Sequence, residues 1–207
     1  RVVNEGALLE LLAKYGPVQT VQFRSDTSFE EQVQTMANSS IFVAVHTSVL
    51  TNAVLLRPGA AVFEITPCML QWGQLEEFMK TLTSAAGDIH HFAWRCMDNK
   101  YTHHHDPADT RKFAHWTKEE CMGSECVEAA IRVDVELNLE EFERLLDARV
   151  PQILAGQSAQ SLDVKWEDMP DLYTAKQFEE NAEPSEADEE PEIVGARAAP
   201  STPPKTK

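Results

Sequence analysis

One short segment of the sequence combines imidazole, hydroxyl and amide side chains in an arrangement that suits a phosphate group. The segment directly follows the apolar run 41–45 and opens a helical pattern, which predicts a turn from a strand into a helix. Its polar side chains belong to His46, Thr47, Ser48, Thr51 and Asn52. The unpaired N–H groups and the dipole at the start of a helix attract anions. We therefore expect a phosphate-binding loop here; the alternative is that His46 is only a hydrogen-bonded residue at the end of a strand.

A carboxylate lies near the end of the next predicted strand. Glu64 belongs to the run 61–65, and ligands of open α/β sheets bind at the carboxyl ends of the strands. A carboxylate at this place can accept hydrogen bonds from both hydroxyls of a ribose. Phosphate at one strand end and ribose at the neighbouring one describe a nucleotide. The sequence has no glycine-rich fingerprint, and the alternative for Glu64 is a carboxylate on the surface.

The elements that must position these residues alternate between strands and helices. The predicted strands are 18–23, 41–45, 61–65 and 89–94, and the predicted helices are 5–15, 28–37, 50–56, 75–85 and 137–154. The continuous apolar run 41–45 predicts a strand buried on both faces. Ser28 and Asn138 are the expected N-caps, and Glu31 would complete a capping box with Ser28. This alternation predicts an α/β fold: a three-layer, Rossmann-like parallel sheet with right-handed crossovers.

Composition changes along the chain predict its domain organisation. A nucleotide-binding domain is expected at 1–156, with a polar insertion or long loop containing His and Cys at about 96–130. An irregular extension, 157–178, and a disordered acidic and Pro-rich tail, 179–207, are expected to follow, because the tail offers almost no apolar surface. The formal net charge of the 207 residues is −16, which argues against a nucleic-acid partner. The chain begins with Arg1 and runs straight into a helical pattern, so we expect a fragment or a processed product.

Five features in a fixed order carry a resemblance to a known family. They are an Arg-x-x-Asn-Glu start at 1–5, an aromatic-x-x-Gln at 29–32, a His-centred loop ending in Leu-Thr-Asn at 46–52, a Pro-Gly turn at 58–59 and a strand ending in Glu at position 64. In their order and spacing, residues 1 to about 154 resemble the carboxyl-terminal half of glycosyltransferase family 61.

The resemblance implies both an architecture and an activity. The architecture is GT-B, two Rossmann-like domains that face a cleft, of which this chain would be the donor-binding half. The activity is an inverting glycosyltransferase that moves xylose, arabinose or N-acetylglucosamine from a nucleotide sugar, UDP-linked, to a hydroxyl of a glycan or glycoprotein. The nucleotide sugar is a co-substrate, and no cofactor or metal is implied. An N-terminal acceptor domain would be missing from this chain. The implied location is the lumen of the Golgi or endoplasmic reticulum, behind a signal peptide or a type II membrane anchor outside this chain.

The resemblance also assigns roles to residues by position. The His46 loop meets the donor diphosphate and Glu64 meets the ribose. The implied donor-binding residues are Arg1, His46, Thr47, Ser48, Thr51, Asn52 and Glu64. Arg1 matches a family arginine near the phosphates, which a guanidinium fork suits; the alternative is a surface salt bridge. The catalytic base normally comes from the acceptor-side domain, and His46 suits that role less well than donation to the donor's phosphate or sugar.

The His46 loop departs from the family pattern at two positions. The usual family loop reads His-Gly-Ala-Gly-Leu-Thr, whereas Thr47 and Val49 replace the two glycines here. A β-branched residue resists a positive φ and a close backbone approach. Either the hydroxyls of Thr47 and Ser48 replace backbone contacts and alter the donor, or the site is degenerate. In the second case the chain is a catalytically inactive nucleotide-binding α/β module.

Cysteines and histidines leave further alternatives open. In a lumenal protein Cys121–Cys126 and Cys68–Cys96 are the expected pairs, although four cysteines permit three connectivities and a cytosolic protein would keep them free. A metal site, and with it a metal-dependent hydrolase, is suggested by the histidine run 103–105 together with His90, His91, His115 and Asp106. Consecutive histidines point in different directions, and no spaced ligand pair supports them. Loop residues at the rim of a cleft are therefore favoured.

Overall fold

The computed structural model describes residues 1–68, 70, 73–113, 115–116, 120–122 and 124–159. The predicted tail 179–207 lies outside the described residues, as does the predicted extension 157–178 beyond residue 159. In the described residues the α-helices are α1 (Glu5–Leu12), α2 (Phe29–Ala37), α3 (Gly73–Ala86), α4 (Pro107–Phe113), α5 (Ser124–Ile131) and α6 (Leu139–Leu154). The strands are β1 (Ile41–Val45), β2 (Ala61–Thr66), β3 (His90–Arg95), β4 (Thr102–His103) and β5 (Asp134–Val135). The 3-10 helices are Ser48–Leu55, Asn99–Tyr101 and Glu120–Met122. None of the helices in these ranges is both long and apolar enough to cross a membrane.

The longer strands form a parallel sheet in the order β1-β2-β3. Val43 lies opposite Phe63, and Phe63 lies opposite Phe92. The two short strands β4 and β5 pair antiparallel, and Val2 adds a parallel bridge to β5 at Val135. The predicted mixed α/β fold with a parallel sheet is confirmed.

Apolar side chains cover both faces of the parallel sheet. One face packs against α1 and α6 through a cluster that includes Leu8, Phe63 and Phe142. The opposite face packs against α2, α3 and the 3-10 helix that follows β1, through a cluster that includes Val62 and Met79. Because side chains alternate between the faces of a strand, neighbouring residues of β2 contribute to different clusters. The result is three layers, helix on sheet on helix.

Burial differs between the strands of this sheet. All residues of β2 are buried, whereas all residues of β1 are only half-buried. Among the described strands β1 pairs with β2 alone, which places it at an edge of the sheet. The prediction that 41–45 is buried on both faces is therefore wrong; β2, the central strand, has that environment.

The predicted strand at 18–23 is wrong. Residues 17–24 have no regular secondary structure, and Val18 and Val21 remain 40% and 42% exposed. Alternating apolar residues match the period of a strand, but a strand also needs a neighbour that pairs with its backbone groups. No described strand pairs with this segment.

Local sequence signals fix several element boundaries. The Ser28 hydroxyl accepts a hydrogen bond from the Glu31 N–H at 3.1 Å, and the Asn138 side chain accepts one from the Glu141 N–H at 3.3 Å. Both residues are the N-caps that the sequence predicts. The turn before β2 contains Gly59 with a φ of +83°, a left-handed conformation that favours glycine.

The segment 96–130 contains more regular structure than a long loop. Its described residues include α4, β4 and most of α5. Phe113, Cys121 and Cys126 form a small buried cluster with Trp116 packed against it. The helix α4 has only 7 residues, so too few apolar positions repeat for its period to be visible in the sequence.

The chain has one disulfide between the loops that follow β2 and β3, and a second one within the segment 96–130. Cys68–Cys96 joins the residues that follow β2 and β3, and Cys121–Cys126 closes a short loop before and within α5. These are the two pairs expected for an oxidising compartment.

Removing the first disulfide should destabilise the protein more than removing the second. The cross-linked cysteines are 28 residues apart in Cys68–Cys96 and 5 apart in Cys121–Cys126, and the entropy withheld from the unfolded chain grows with loop length. We expect a loss of about 3 kcal/mol in the free energy of unfolding for Cys68→Ser with Cys96→Ser, and about 2 kcal/mol for Cys121→Ser with Cys126→Ser. Urea denaturation followed by circular dichroism measures both losses. A larger loss for the short loop would contradict the argument.

Candidate functional site

His46 extends β1 by one residue at the carboxyl end of the sheet. Its N–H donates to the Ile65 carbonyl at 2.9 Å, which continues the pairing of β1 with β2. By alternation, its side chain lies on the same face as Ala44, the face that packs against α2 and α3. The strand pairing therefore fixes the backbone of His46 and the side of the sheet on which its imidazole lies.

Thr47 turns the chain from β1 into the following 3-10 helix. Its hydroxyl accepts a hydrogen bond from the Val49 N–H at 3.4 Å, so Thr47 is the N-cap. Its φ is −157° and its ψ is 174°, which is extended backbone that a β-branched residue adopts without strain. The replacement of a glycine by Thr47 is thus compatible with this turn.

The polar residues of this loop differ in their exposure and in whether their side chains already make a hydrogen bond. Thr47 and Ser48 are exposed, and the Ser48 hydroxyl has no hydrogen-bond partner in the part of the chain that the structure describes. Thr51 is exposed, but its hydroxyl already donates to the Ser48 carbonyl at 2.7 Å. Asn52 is half-buried. The helix predicted at 50–56 is the 3-10 helix Ser48–Leu55, which begins directly after the cap.

Glu64 is fully buried in the central strand. Its side chain is 0% exposed, and its two carboxylate oxygens contact different histidines. Nδ1 of His46 hydrogen-bonds Oε1, and Nε2 of His91 hydrogen-bonds Oε2 at 2.7 Å. A ribose could therefore reach this carboxylate only if one of the histidines moved aside. The alternative interpretation, that Glu64 is a carboxylate on the surface, is wrong. Its role in binding a ribose stays a prediction.

These hydrogen bonds keep the Glu64 carboxylate ionised. Burial by itself would raise the pKa of Glu64, because it disfavours the charged form. The hydrogen bonds and the charge of His46 and His91 outweigh burial, and they hold the pKa below its ordinary value of 4.5. Both histidines consequently face an anion and present an N–H to it.

His91 belongs to this cluster, a role that sequence analysis did not assign to it. The sequence suggested a metal ligand or, by preference, a loop residue at the rim of a cleft, and the second interpretation is wrong because His91 lies on β3. It lies on β3 opposite Val62, two residues before Glu64 on β2, and its side chain is 5% exposed. Because Val62 and Glu64 lie on the same face of β2, the parallel register places His91 and Glu64 on that face as well. The sequence shows a histidine in β3, but its contact with Glu64 can be inferred only once the register of β2 against β3 is known.

Two further polar residues end the neighbouring strands on this face. Thr66 is the last residue of β2 and lies opposite Arg95, the last residue of β3; both are buried. The Thr66 hydroxyl has no hydrogen-bond partner among the described residues. The carboxyl edge of the sheet thus carries a buried guanidinium in addition to the His46 loop, and sequence analysis did not identify it.

Arg1 lies in a different set of contacts. Its Nε donates to Asp134 at 3.0 Å and its terminal ammonium donates to the same carboxylate at 3.3 Å. The side chain is 81% exposed. Together with His105, Arg1 outweighs the effect of burial and lowers the pKa of Asp134 to about 2. Nearby, Asn4 exchanges two hydrogen bonds with the backbone of Leu137, which fixes the residues before α1 against the segment that leads into α6.

The histidine run 103–105 does not converge on one point. His103 contacts Glu136 at 3.3 Å, His105 contacts Asp134 at 3.1 Å, and His104 lies against the ring of Phe113. Within the described ranges there is no group of three or more His, Cys, Asp or Glu side chains arranged to hold a metal ion.

Comparisons with known proteins match the first part of the chain to a family. Residues 1–63 match the family model described as Glycosyltransferase 61. Among similar proteins is the protein O-linked-mannose beta-1,4-N-acetylglucosaminyltransferase 2 of Canis lupus familiaris, 33% identical over 123 residues. Proteins of the same name from Takifugu rubripes and Homo sapiens are 32% and 31% identical. Each match covers 58% of this chain and 21% of the relative, so the chain spans about a fifth of the length of the curated relatives it matches. The resemblance to glycosyltransferase family 61 is confirmed.

Replacing Glu64 by glutamine should make stability less dependent on pH in the acid range. The pKa of Glu64 is lowered in the folded state, so the folded protein binds fewer protons than the unfolded chain. Its contribution is present above the unfolded pKa of about 4.5 and is lost as pH falls through the lower folded value. Urea denaturation at pH 7, 5 and 3 should show a smaller loss of stability for Glu64→Gln than for the wild type.

Glu10→Gln, at an exposed position on α1, is the control for the loss of one negative charge. An unchanged pH dependence in Glu64→Gln would contradict an ionised, hydrogen-bonded Glu64.

Proposed function

We infer, from the match of residues 1–63 to glycosyltransferase family 61, that this chain is the donor-binding part of an inverting glycosyltransferase. The single observation that carries the proposal is the loop after β1. There, exposed hydroxyls of Thr47 and Ser48 follow His46 at the carboxyl end of β1. This loop lies inside the region that matches the family. Ligands of open α/β sheets bind at the carboxyl ends of the strands. We propose a UDP-linked sugar as the donor and a GT-B arrangement for the complete enzyme.

The proposed donor-binding residues act mainly on the diphosphate of the donor. We propose that the loop hydroxyls and the N-terminus of the 3-10 helix bind the diphosphate. Arg1 belongs to this set through the family resemblance alone, because its guanidinium is paired with Asp134 in this structure. The set implied by the resemblance consists of Arg1, His46, Thr47, Ser48, Thr51, Asn52 and Glu64. Glu64 is its fully buried member, so direct contact with the donor would require one of its histidine partners to move. The nucleotide sugar is a co-substrate, and the proposal includes neither a metal nor another cofactor.

In the proposed reaction, residues of this chain stabilise the leaving group, which is the diphosphate. The acceptor oxygen forms a bond to the anomeric carbon while the bond from that carbon to the diphosphate oxygen breaks, and the configuration inverts. The diphosphate departs with the electron pair, and the acceptor's proton passes to a base. Hydrogen-bond donors placed around the departing diphosphate stabilise the charge that develops there. We assign the base to an acceptor-binding domain outside these 207 residues.

The acceptor and the compartment follow from the same family assignment. The similar proteins are named as N-acetylglucosaminyltransferases that act on O-linked mannose, so N-acetylglucosamine is the first sugar to test and a glycan or glycoprotein the first acceptor class. The two disulfides suit the oxidising lumen of the endoplasmic reticulum or Golgi.

A catalytically inactive nucleotide-binding module is the second candidate. Thr47 and Val49 favour it, because they stand where the family loop has glycines. Titration calorimetry of this chain with UDP and UDP-N-acetylglucosamine tests nucleotide binding. Assays of sugar transfer and donor hydrolysis use the full-length protein, which includes the proposed acceptor-binding domain. We expect nucleotide binding by this chain and turnover by the full-length protein. Binding without turnover supports the inactive module, and no binding of either ligand contradicts both proposals.

Removing the loop hydroxyls should weaken donor binding without unfolding the protein. Thr47→Ala with Ser48→Ala deletes two exposed groups, and a hydrogen bond to a charged phosphate contributes about 1.5 kcal/mol or more. We expect the dissociation constant for UDP to rise about tenfold or more. The variant should stay folded but lose about 1 kcal/mol of stability, because Thr47 is the N-cap of the 3-10 helix. Ser39→Ala is the matched control, because Ser39 precedes β1 and lies at the opposite edge of the sheet. Equal effects of the loop and control variants would contradict the assignment.

A further inference from the structure

The two nitrogens of the His46 imidazole have different environments. Nδ1 is hydrogen-bonded to the buried Glu64 carboxylate, whereas Nε2 has no hydrogen-bond partner in the described residues. The His46 side chain is 12% exposed and that of Glu64 is 0% exposed. A ligand at the edge of the sheet can therefore touch His46 but not Glu64.

Glu64 also decides which nitrogen of His46 carries the proton. An ionised carboxylate has no proton to donate, so Nδ1 must present its N–H to Oε1. In the neutral ring Nε2 then has the lone pair, and in the protonated ring Nε2 is a second donor. In either state the geometry presents Nε2, and not Nδ1, outward.

His91 holds the other end of the same carboxylate. Its Nε2 donates to Oε2 of Glu64 at 2.7 Å, and its side chain is 5% exposed. With one oxygen bonded to each histidine, the carboxylate cannot rotate without breaking a buried hydrogen bond, which is costly. His91 thus fixes Glu64, and Glu64 fixes His46.

We propose that Glu64 and His91 are positioning residues that hold His46 with Nε2 directed at the diphosphate of the bound donor, and that Glu64 does not bind the ribose. The inference rests on the proposed function for the identity of the ligand. It differs from the ribose role in the atoms concerned: the effect of Glu64 reaches the ligand through one imidazole, at the phosphates.

Histidine tautomers test the structural half of the proposal without any ligand. Long-range ¹H–¹⁵N correlation spectra of the full chain should show a proton on Nδ1 of neutral His46 in the wild type. Glu64→Gln replaces one acceptor oxygen by an amide that donates, so the ring it faces must accept and its tautomer changes. Unchanged tautomers of both His46 and His91 in this variant overturn the proposal.

Three ligands separate the positioning role from ribose binding. The dissociation constants of UDP, 2′-deoxy-UDP and uridine are measured for the wild type, Glu64→Gln and His91→Asn. We expect both variants to weaken UDP and 2′-deoxy-UDP by the same factor, about tenfold for Glu64→Gln, and to leave uridine unchanged. A variant that instead abolishes the discrimination between UDP and 2′-deoxy-UDP overturns the proposal in favour of direct ribose binding.

A double-mutant cycle tests whether Glu64 acts on the ligand through His46. If Glu64 acts through His46, Glu64→Gln has no further effect on UDP affinity in a His46→Gln background, whereas additive effects overturn the proposal. Glu136→Gln is the matched control, because Glu136 makes an exposed carboxylate–histidine pair with His103 and should leave UDP affinity unchanged. Wild-type protein that binds none of the ligands would refute the proposed function and the diphosphate as His46's target, while the tautomer spectra would still decide whether Glu64 orients His46.

Discussion

A single buried carboxylate constrains the central strand of the parallel sheet and its two neighbours. Glu64 lies in the middle of the sheet with no exposed surface, and an isolated charge in that position would be very costly. Two histidine N–H groups, one on each neighbouring strand or its extension, offset that cost. Removing either partner would leave a buried anion with an unsatisfied oxygen, so the three residues act as a unit. The central strand can contain a charge because its neighbours supply the donors.

The same unit depends on the strand register. His46, Glu64 and His91 come from three separate segments, and only the parallel pairing of β1, β2 and β3 places them on one face. A shift of β2 by one residue would turn Glu64 toward the apolar cluster that includes Phe92 and Phe142, away from both histidines, and would turn Phe63 out of that cluster. The apolar cluster on one face and the hydrogen-bonded cluster on the other thus favour the same register.

The sequence predicts this structure well where the signal is local and poorly where it depends on pairing. Ser28 and Asn138 are N-caps because a cap needs only the residues beside it. The segment 18–23 has the period of a strand, but no strand in the described part of the chain pairs with it. The hydrogen bond between His91 and Glu64 can be inferred only from the register of β3 against β2. Glu64 itself was identified as important, but its burial between two histidines is a property of three strands and not of its own.

The loop after β1 shows how a departure from a family pattern can be accommodated. Glycine is required where φ is positive or where no side chain fits, and Thr47 meets neither condition because its backbone is extended. Its hydroxyl caps the following 3-10 helix, a bond that glycine cannot make, so the substitution stabilises the turn that presents Ser48. In the proposed donor site the contacts of this loop therefore come from side chains. Among them the His46 imidazole has a fixed orientation, because its Nδ1 is hydrogen-bonded to the buried Glu64 carboxylate.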